Sequence, residues 1–326
     1  EAQLDRFMFS IHVGYPSEDE EVQIVRDWIV CGAADFDQFE EERFFISNAD
    51  VFDIVLADLN SLSTEDQKNV RYLSLVHLYN GGVSSDTIHK YRKGISKLMN
   101  SMSWNEDIVR PEMIGDDKLL LRVDLRDYAW ESKEGSPVSK WEVMLKKYPY
   151  GQHDHLTYSA NFDQDFVNIQ DKTVSRIPIV FADWFVQGVA LPPLYHEILE
   201  LPTTNPGFLD KFGLDLPSAM QEDDVLRAGF NLSGVSANNR LIERHELSIH
   251  NGYCWVSYDF GVVDDPAKNL FNSPLDFEAE GGEVICSLPN GLQAYYLTDG
   301  IGHRLDSGPI EVVAHRTRDN SAVDNG

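Results

Sequence analysis

The sequence predicts an α+β fold in which a small helical subdomain precedes a mixed domain that ends in an antiparallel β-meander. Between residues 49 and 113, apolar side chains recur at helical spacing behind good N-cap residues. After Arg240, short apolar and polar alternations are separated by three turn signals, at Asn251-Gly252, Pro289-Asn290-Gly291 and Asp299-Gly300. Helices and strands that segregate along the chain in this way indicate α+β rather than a doubly wound sheet.

Taken in order, Phe7–Tyr15 alternates as a strand, and Ser17 with Glu20 forms a capping box for a helix through Ile29. An acidic linker, 31–48, follows and carries Glu40-Glu41-Glu42, which reads as a solvated charge run. In the helical subdomain, 49–113, Asn48 caps a helix with Val51, Ile54, Val55 and Leu59 on one face. Ser63 and Asp66 open a second helix with Val70, Leu73, Val76 and His77 on its apolar side, stopped at Asn80-Gly81-Gly82. Ser85 caps a third, with Ile88, Tyr91, Ile95 and Leu98 in phase.

The α+β domain, 114–326, opens on a strand in which Leu119, Leu121, Val123 and Leu125 alternate with Leu120, Arg122, Asp124 and Arg126. Opposite charges at Arg122, Asp124, Arg126 and Asp127 read as pairs on one strand face. Ser136-Pro137 starts a helix through Tyr148, and Ile179–Val189, Pro193–Leu201 and a segment from Asn205-Pro206 read as further helices. Trp130, Trp141, Trp184 and Trp255 read as core.

Composition narrows the function. The 326 residues hold 54 Asp and Glu against 27 Lys and Arg, a net charge of −27, with 42% hydrophobic and 11% aromatic residues. Such a chain is globular, and its charge disfavours nucleic acid and anionic membranes as partners. No apolar run reaches the ~20 residues that cross a bilayer, so membrane insertion is not expected. Three cysteines, Cys31, Cys254 and Cys286, are too few and too scattered for a disulfide framework and read as small buried apolar residues, at least one of them a free thiol.

No Walker or Rossmann glycine loop, no Cys-x-x-Cys-His and no His-Glu-x-x-His is present. The candidate metal ligands are His153 and His155, flanking Asp154, with a distant His196. Spacing fixes no third ligand, so a polar loop after Tyr148-Pro149-Tyr150-Gly151 is the simpler reading. A second cluster gathers Ser233, Ser236, Asn239, Arg240, Glu243 and His245. Without a Gly-x-Ser-x-Gly elbow it is a structural hydrogen-bond network or a polar binding site, not a nucleophilic centre. No catalytic set is identified.

Two family resemblances add to this. Glu1-Ala2-Gln3-Leu4-Asp5-Arg6-Phe7, with Val13-Gly14-Tyr15-Pro16-Ser17 and Glu20-Glu21, resembles the end of the ATPase core in MoxR-type AAA+ ATPases. The resemblance covers 1–26, with 1–30 as the corresponding strand-helix fragment, and implies that Arg6 is the remnant of an arginine finger acting on a neighbour's nucleotide. Residues 49–326 resemble the haem-free region of bacterial extracytoplasmic c-type cytochromes. The likeness is carried by Arg71–Asn80, Arg122–Tyr128, Tyr148–Gly151, Ala182–Phe185, Pro192–His196, Phe230–Ser236 and Leu288–Tyr295.

This second resemblance implies a haem-free sensing, docking or ligand-binding module of an electron-transfer protein. It implies a periplasmic location, and partners that are other domains or redox proteins. It also implies no cofactor in this chain, with haem c in the intact parent, and no activity of this chain alone. The alternatives are a fragment of a MoxR-type fusion, which would be cytoplasmic, and a metal-dependent hydrolase using His153, His155 and His196.

Overall fold

The computed structural model describes residues 43–133, 137–150, 164–215, 225–230, 240–247, 252–260, 270–273 and 277–307, with positions 26, 135, 218 and 219. Two sheets are joined by helices, which is the α+β class expected. The first strand-helix fragment and most of the acidic linker, including Arg6 and Glu40–Glu42, lie outside the described residues.

Helix α1 (Asn48–Ser61) is capped by Ser47, not Asn48. The Ser47 hydroxyl accepts from the Asp50 N–H, and the Asp50 carboxylate accepts from the Ser47 N–H at 2.7 Å, a reciprocal capping box. A single turn, α2 (Thr64–Gln67), follows Ser63. The chain then departs from the helical reading, because Val70–Ser74 is a strand, β1, buried at every position. Its apolar spacing fits either periodicity, and the pairing available decides it. Strand β3 (Leu120–Asp124) runs antiparallel to it, with Leu73 opposite Leu121. Strand β4 (Ile179–Phe181) runs parallel to it, with Leu73 opposite Val180. With β2 (Glu112–Ile114) at the edge, the order is β2-β3-β1-β4. Ile179–Phe181 thus leaves the helix read from Ile179 to Val189, which begins only at Ala182.

Short helix α3 (Val76–Asn80) follows β1, and α4 (Ser85–Ser101) is capped by Ser84, one residue before the expected cap. Next come α5 (Lys140–Leu145), capped by Ser139, α6 (Gln164–Thr173), α7 (Ala182–Val189), α8 (Leu194–Ile198) and α9 (Asn205–Phe212). Helix α1 lies over the Tyr72 face of the sheet. There Asp58 accepts from Tyr72 Oη at 2.8 Å and from Arg122 at 2.6 Å. Arg122 also pairs with Glu112, and Arg126 pairs with Asp124 and with Asp66 at 2.8 Å. The expected charge ladder is therefore only partly intrastrand. Leu125–Tyr128 is a 3-10 turn, which carries Arg126 off the strand face.

The second sheet is an antiparallel meander of order β10-β9-β8-β7-β6-β5. Its strands are β5 (Leu226–Phe230), β6 (Arg240–Leu247), β7 (Gly252–Asp259), β8 (Gly281–Ser287), β9 (Gln293–Asp299) and β10 (Arg304–Leu305). The β6-β7, β8-β9 and β9-β10 connections fall at the three expected turns. Cys254 and Cys286, directly opposite each other on β7 and β8, form a disulfide spanning 32 residues, with Cα atoms 4.1 Å apart. The reading of all three cysteines as apolar filler is corrected at these two. Their adjacency comes from strand pairing and is invisible in their spacing. Trp255 is also corrected. It faces away from the core and is 44% exposed, whereas Trp130 and Trp141 are buried and Trp184 is half-buried.

One apolar core serves both sheets, running from Val55, Leu73 and Trp141 to Val256, Cys286 and Tyr296. Hydrogen bonds seal the junction. Tyr195 Oη accepts from the Tyr295 N–H at 3.1 Å, and Trp104 Nε1 donates to Leu199 O at 3.1 Å. The Asn290 amide donates to Asn100 O at 2.8 Å. Asn100 is itself buried, and its side chain donates to Ser96 O and Val109 O and accepts from the Val109 N–H. Asn100→Ala leaves those buried backbone groups without their partner. It should lower unfolding free energy by about 1–3 kcal/mol, read as the denaturant midpoint at unchanged m-value.

Candidate functional site

Of the polar cluster expected at residues 233–245, the described members Arg240, Glu243 and His245 do not share one face. Ser233, Ser236 and Asn239 lie outside the described residues. Arg240 stands opposite Asp259 and pairs with it at 2.5 Å. By strand alternation Arg240 lies on the opposite face from Glu243 and His245. Those two are buried on the inner face, 1% and 2% exposed. Glu243 takes hydrogen bonds from Arg227, His245 Nε2 at 3.2 Å and Tyr258 Oη at 3.3 Å. Burial pushes the Glu243 carboxyl up, but His245 and Arg227 together outweigh it and hold the group below its ordinary value. Glu243 and His245 thus sit in a buried ionic network.

The metal set does not assemble among the described residues either. His153 and His155 lie outside them, and no group of three metal-ligating side chains occurs among those described. His196 is buried in α8, with Nδ1 3.0 Å from Asp306 and its ring beside Tyr195 and Tyr296. Burial and the Arg304 charge lower its pKa, against the opposing pull of Asp306. It is engaged as a buried polar residue.

A different pair emerges from the first sheet. β1 and β4 are parallel, and each leads directly into a helix at its carboxyl end, β1 into α3 and β4 into α7. This brings together His77 from α3 and Asp183 from the first turn of α7, 106 residues apart, with Nε2 2.9 Å from Oδ1. Both are half-exposed, at 28% and 32% of their side-chain area. Burial pushes the Asp183 carboxyl up. The His77 hydrogen bond and backbone N–H groups at the start of α7 prevail and hold it below its ordinary value. Asp183 is therefore a carboxylate at neutral pH and can only accept, so His77 Nε2 carries the proton. His77 Nδ1 is buried and has no hydrogen-bond partner among the described residues.

Aromatic rings surround the pair. The His77 ring lies 4.4 Å from Phe181, Phe181 lies 5.2 Å from Tyr150, and Tyr148 bridges Tyr150 at 5.3 Å and Trp184 at 4.7 Å. Tyr150 is 62% exposed. The Tyr91 hydroxyl on α4 is raised by burial and by the Asp183 charge. Gly188, one turn after Trp184, leaves room for the indole: a Cβ there would sit 3.1 Å from Trp184 Cε2 and Cζ2. His77 Nδ1 is buried and Nε2 is committed to Asp183, so the half-exposed Asp183 carboxylate, positioned by the imidazole beside the rings, is the group that can accept from a hydroxyl of a small molecule. The sequence carried no direct signal for this site, because His77 was read as one position of a helix face and Asp183 lay inside another. The usable clue was that both follow short apolar runs able to be strands.

Comparison with protein-family models, with curated proteins and with solved structures finds no match to this chain.

The depressed Asp183 carboxyl supplies stability that is present above the ordinary carboxylate range and is lost as pH falls through its folded-state value. Asp183→Asn should therefore lower Tm at pH 7. The gap from the parent protein should close progressively below about pH 4, as followed by circular dichroism melts.

Proposed function

We propose that this chain is a haem-free ligand-binding module of an extracytoplasmic electron-transfer protein of the c-type cytochrome kind, capturing a hydroxylated small molecule at the carboxyl edge of the first sheet. The observation that carries the reading is the His77–Asp183 pair, set between Phe181, Trp184 and Tyr150. Aromatic faces take the C–H faces of a sugar ring, while the Asp183 carboxylate, positioned by His77, accepts from its hydroxyls. The compartment is supported separately by the Cys254–Cys286 bond, since such bonds persist in oxidising environments.

The test uses Trp184 as the reporter. Neutral mono- and oligosaccharides titrated into the protein should change tryptophan emission saturably. His77→Ala should lower Tm, as Asp183→Asn does, and weaken the response at least tenfold at a temperature where the variant is still folded, and His89→Ala, at an exposed position on α4, should leave both intact. Gly188→Ala, which displaces the indole, should also weaken it. An emission change that survives both His77→Ala and Gly188→Ala would remove the site from consideration.

The compartment is tested by making the protein in a reducing cytosol and with export to an oxidising one. The 32-residue separation of the cysteines implies about 2–4 kcal/mol more stability for the exported form. Equal stability with full oxidation in both would count against an extracytoplasmic home.

A further inference from the structure

Across the meander, one lateral row of inward-facing residues runs His245, Cys254, Cys286 and Ala294, each directly opposite the next on β6, β7, β8 and β9. His245 is thus the cross-strand neighbour of a disulfide sulfur on a shared buried face, where Cβ atoms of such pairs lie about 4.5–5.5 Å apart. Its neutral ring is held in one tautomer by Glu243. The Glu243 carboxyl is held ionised by Arg227 and His245 and can only accept, so His245 Nε2 carries the proton. In the neutral ring Nδ1 then carries the lone pair. That Nδ1 is buried and has no hydrogen-bond partner among the described residues. A buried orphan acceptor is rare and disfavours the state that contains it. Here the state is the oxidised one, because a sulfur in a disulfide has no proton to donate.

We propose that Cys254 and Cys286 form an exchangeable dithiol/disulfide couple whose reduced form is held by a hydrogen bond from the Cys254 thiol to His245 Nδ1, with Glu243 as the residue that positions the imidazole. The co-reactant is a dithiol reductant. One of its thiolates attacks Sγ of Cys286, the Cys254–Cys286 bond breaks, and Cys254 leaves as a thiolate that takes up the proton lost by the attacking thiol. The second reductant thiolate attacks the reductant sulfur of the mixed disulfide. Cys286 is released and takes up the second proton, and the reductant departs as its own disulfide. Two electrons and two protons pass from the dithiol to the protein. Only the reduced state satisfies Nδ1, so the imidazole draws the equilibrium toward the thiols.

The bond lies near one end of the sheet. Cys254 is two residues from the start of β7 and Cys286 one residue from the end of β8. Strand ends open with the least free energy, which gives a small reductant its path. Gly252 and Ser287 close that end, since a Cβ on Gly252 would lie 2.6 Å from Ser287 Cβ.

The experiment equilibrates the full chain with graded ratios of reduced to oxidised dithiothreitol. Alkylation and peptide mapping then follow Cys254 and Cys286 separately from Cys31. His245→Phe keeps the ring volume and leaves Glu243 its bonds to Arg227 and Tyr258. It should require about tenfold more reducing conditions at the midpoint, the value of a buried hydrogen bond and the orphan it relieves. An unchanged midpoint overturns the proposal, as does finding the two cysteines unpaired in the exported native protein. Should His245→Phe fail to fold, nitrogen-15 NMR of the parent protein decides. On reduction the His245 Nδ1 signal should move as a lone pair gains a donor, while that of His77 stays still. No movement at His245 overturns the proposal equally.

Discussion

The rest of the structure depends on the burial of β1 from both sides. Val70–Ser74 is five residues long and buried throughout, hydrogen-bonded to β3 on one edge and to β4 on the other. A strand in that position cannot leave a backbone group unpaired, because each orphan in the interior costs about as much as a lost hydrogen bond. Its two partners therefore have to come from far along the chain, and they do. The polar groups beside it are met in the same way: Tyr72 and Arg122 converge on Asp58 of α1, and the Arg71 guanidinium donates to the carbonyls of Lys68 and Val70. Burial lowers the Arg71 pKa to about 10, partly offset by the nearby Glu142 charge.

The parallel β1-β4 pairing has a geometric consequence that antiparallel pairing would not. Two parallel strands end at the same edge, and the helices that follow them start side by side. His77 and Asp183 meet because of that geometry. The start of α7 also places N–H groups near Asp183, so the carboxylate is stabilised by the fold before any ligand arrives.

The second sheet makes different use of the same chemistry. His245 with Glu243 repeats the imidazole–carboxylate arrangement, yet both groups are sealed beneath a meander whose inner face belongs to the common core. One pair is open to solvent and framed by rings, and the other is closed and set against a disulfide. The outer face of this sheet is polar and aromatic together, with the Arg244 guanidinium 3.6 Å from the Tyr253 ring and Trp255 half open. An indole there could not be told from a core indole by composition, because both faces of the strand carry large apolar residues.

Local signals were enough to determine the α+β class, the three turns of the meander, the starts of α1, α2 and α4 to within a residue, and the absence of a membrane-spanning helix among the described residues. These depend on neighbours a few positions apart, where turn residues, caps and periodicity act directly. Three things were decided only by tertiary structure. Val70–Ser74 and Ile179–Phe181 are strands because partners more than forty residues away complete their hydrogen bonds, which a run of four or five apolar residues cannot announce. Cys254 and Cys286 are bonded because β7 and β8 lie side by side in register, a relation set by the sheet and not by their separation of 32 positions. His77 finds Asp183 because two parallel strands end together, and the sequence holds that meeting only as two apolar runs 106 residues apart.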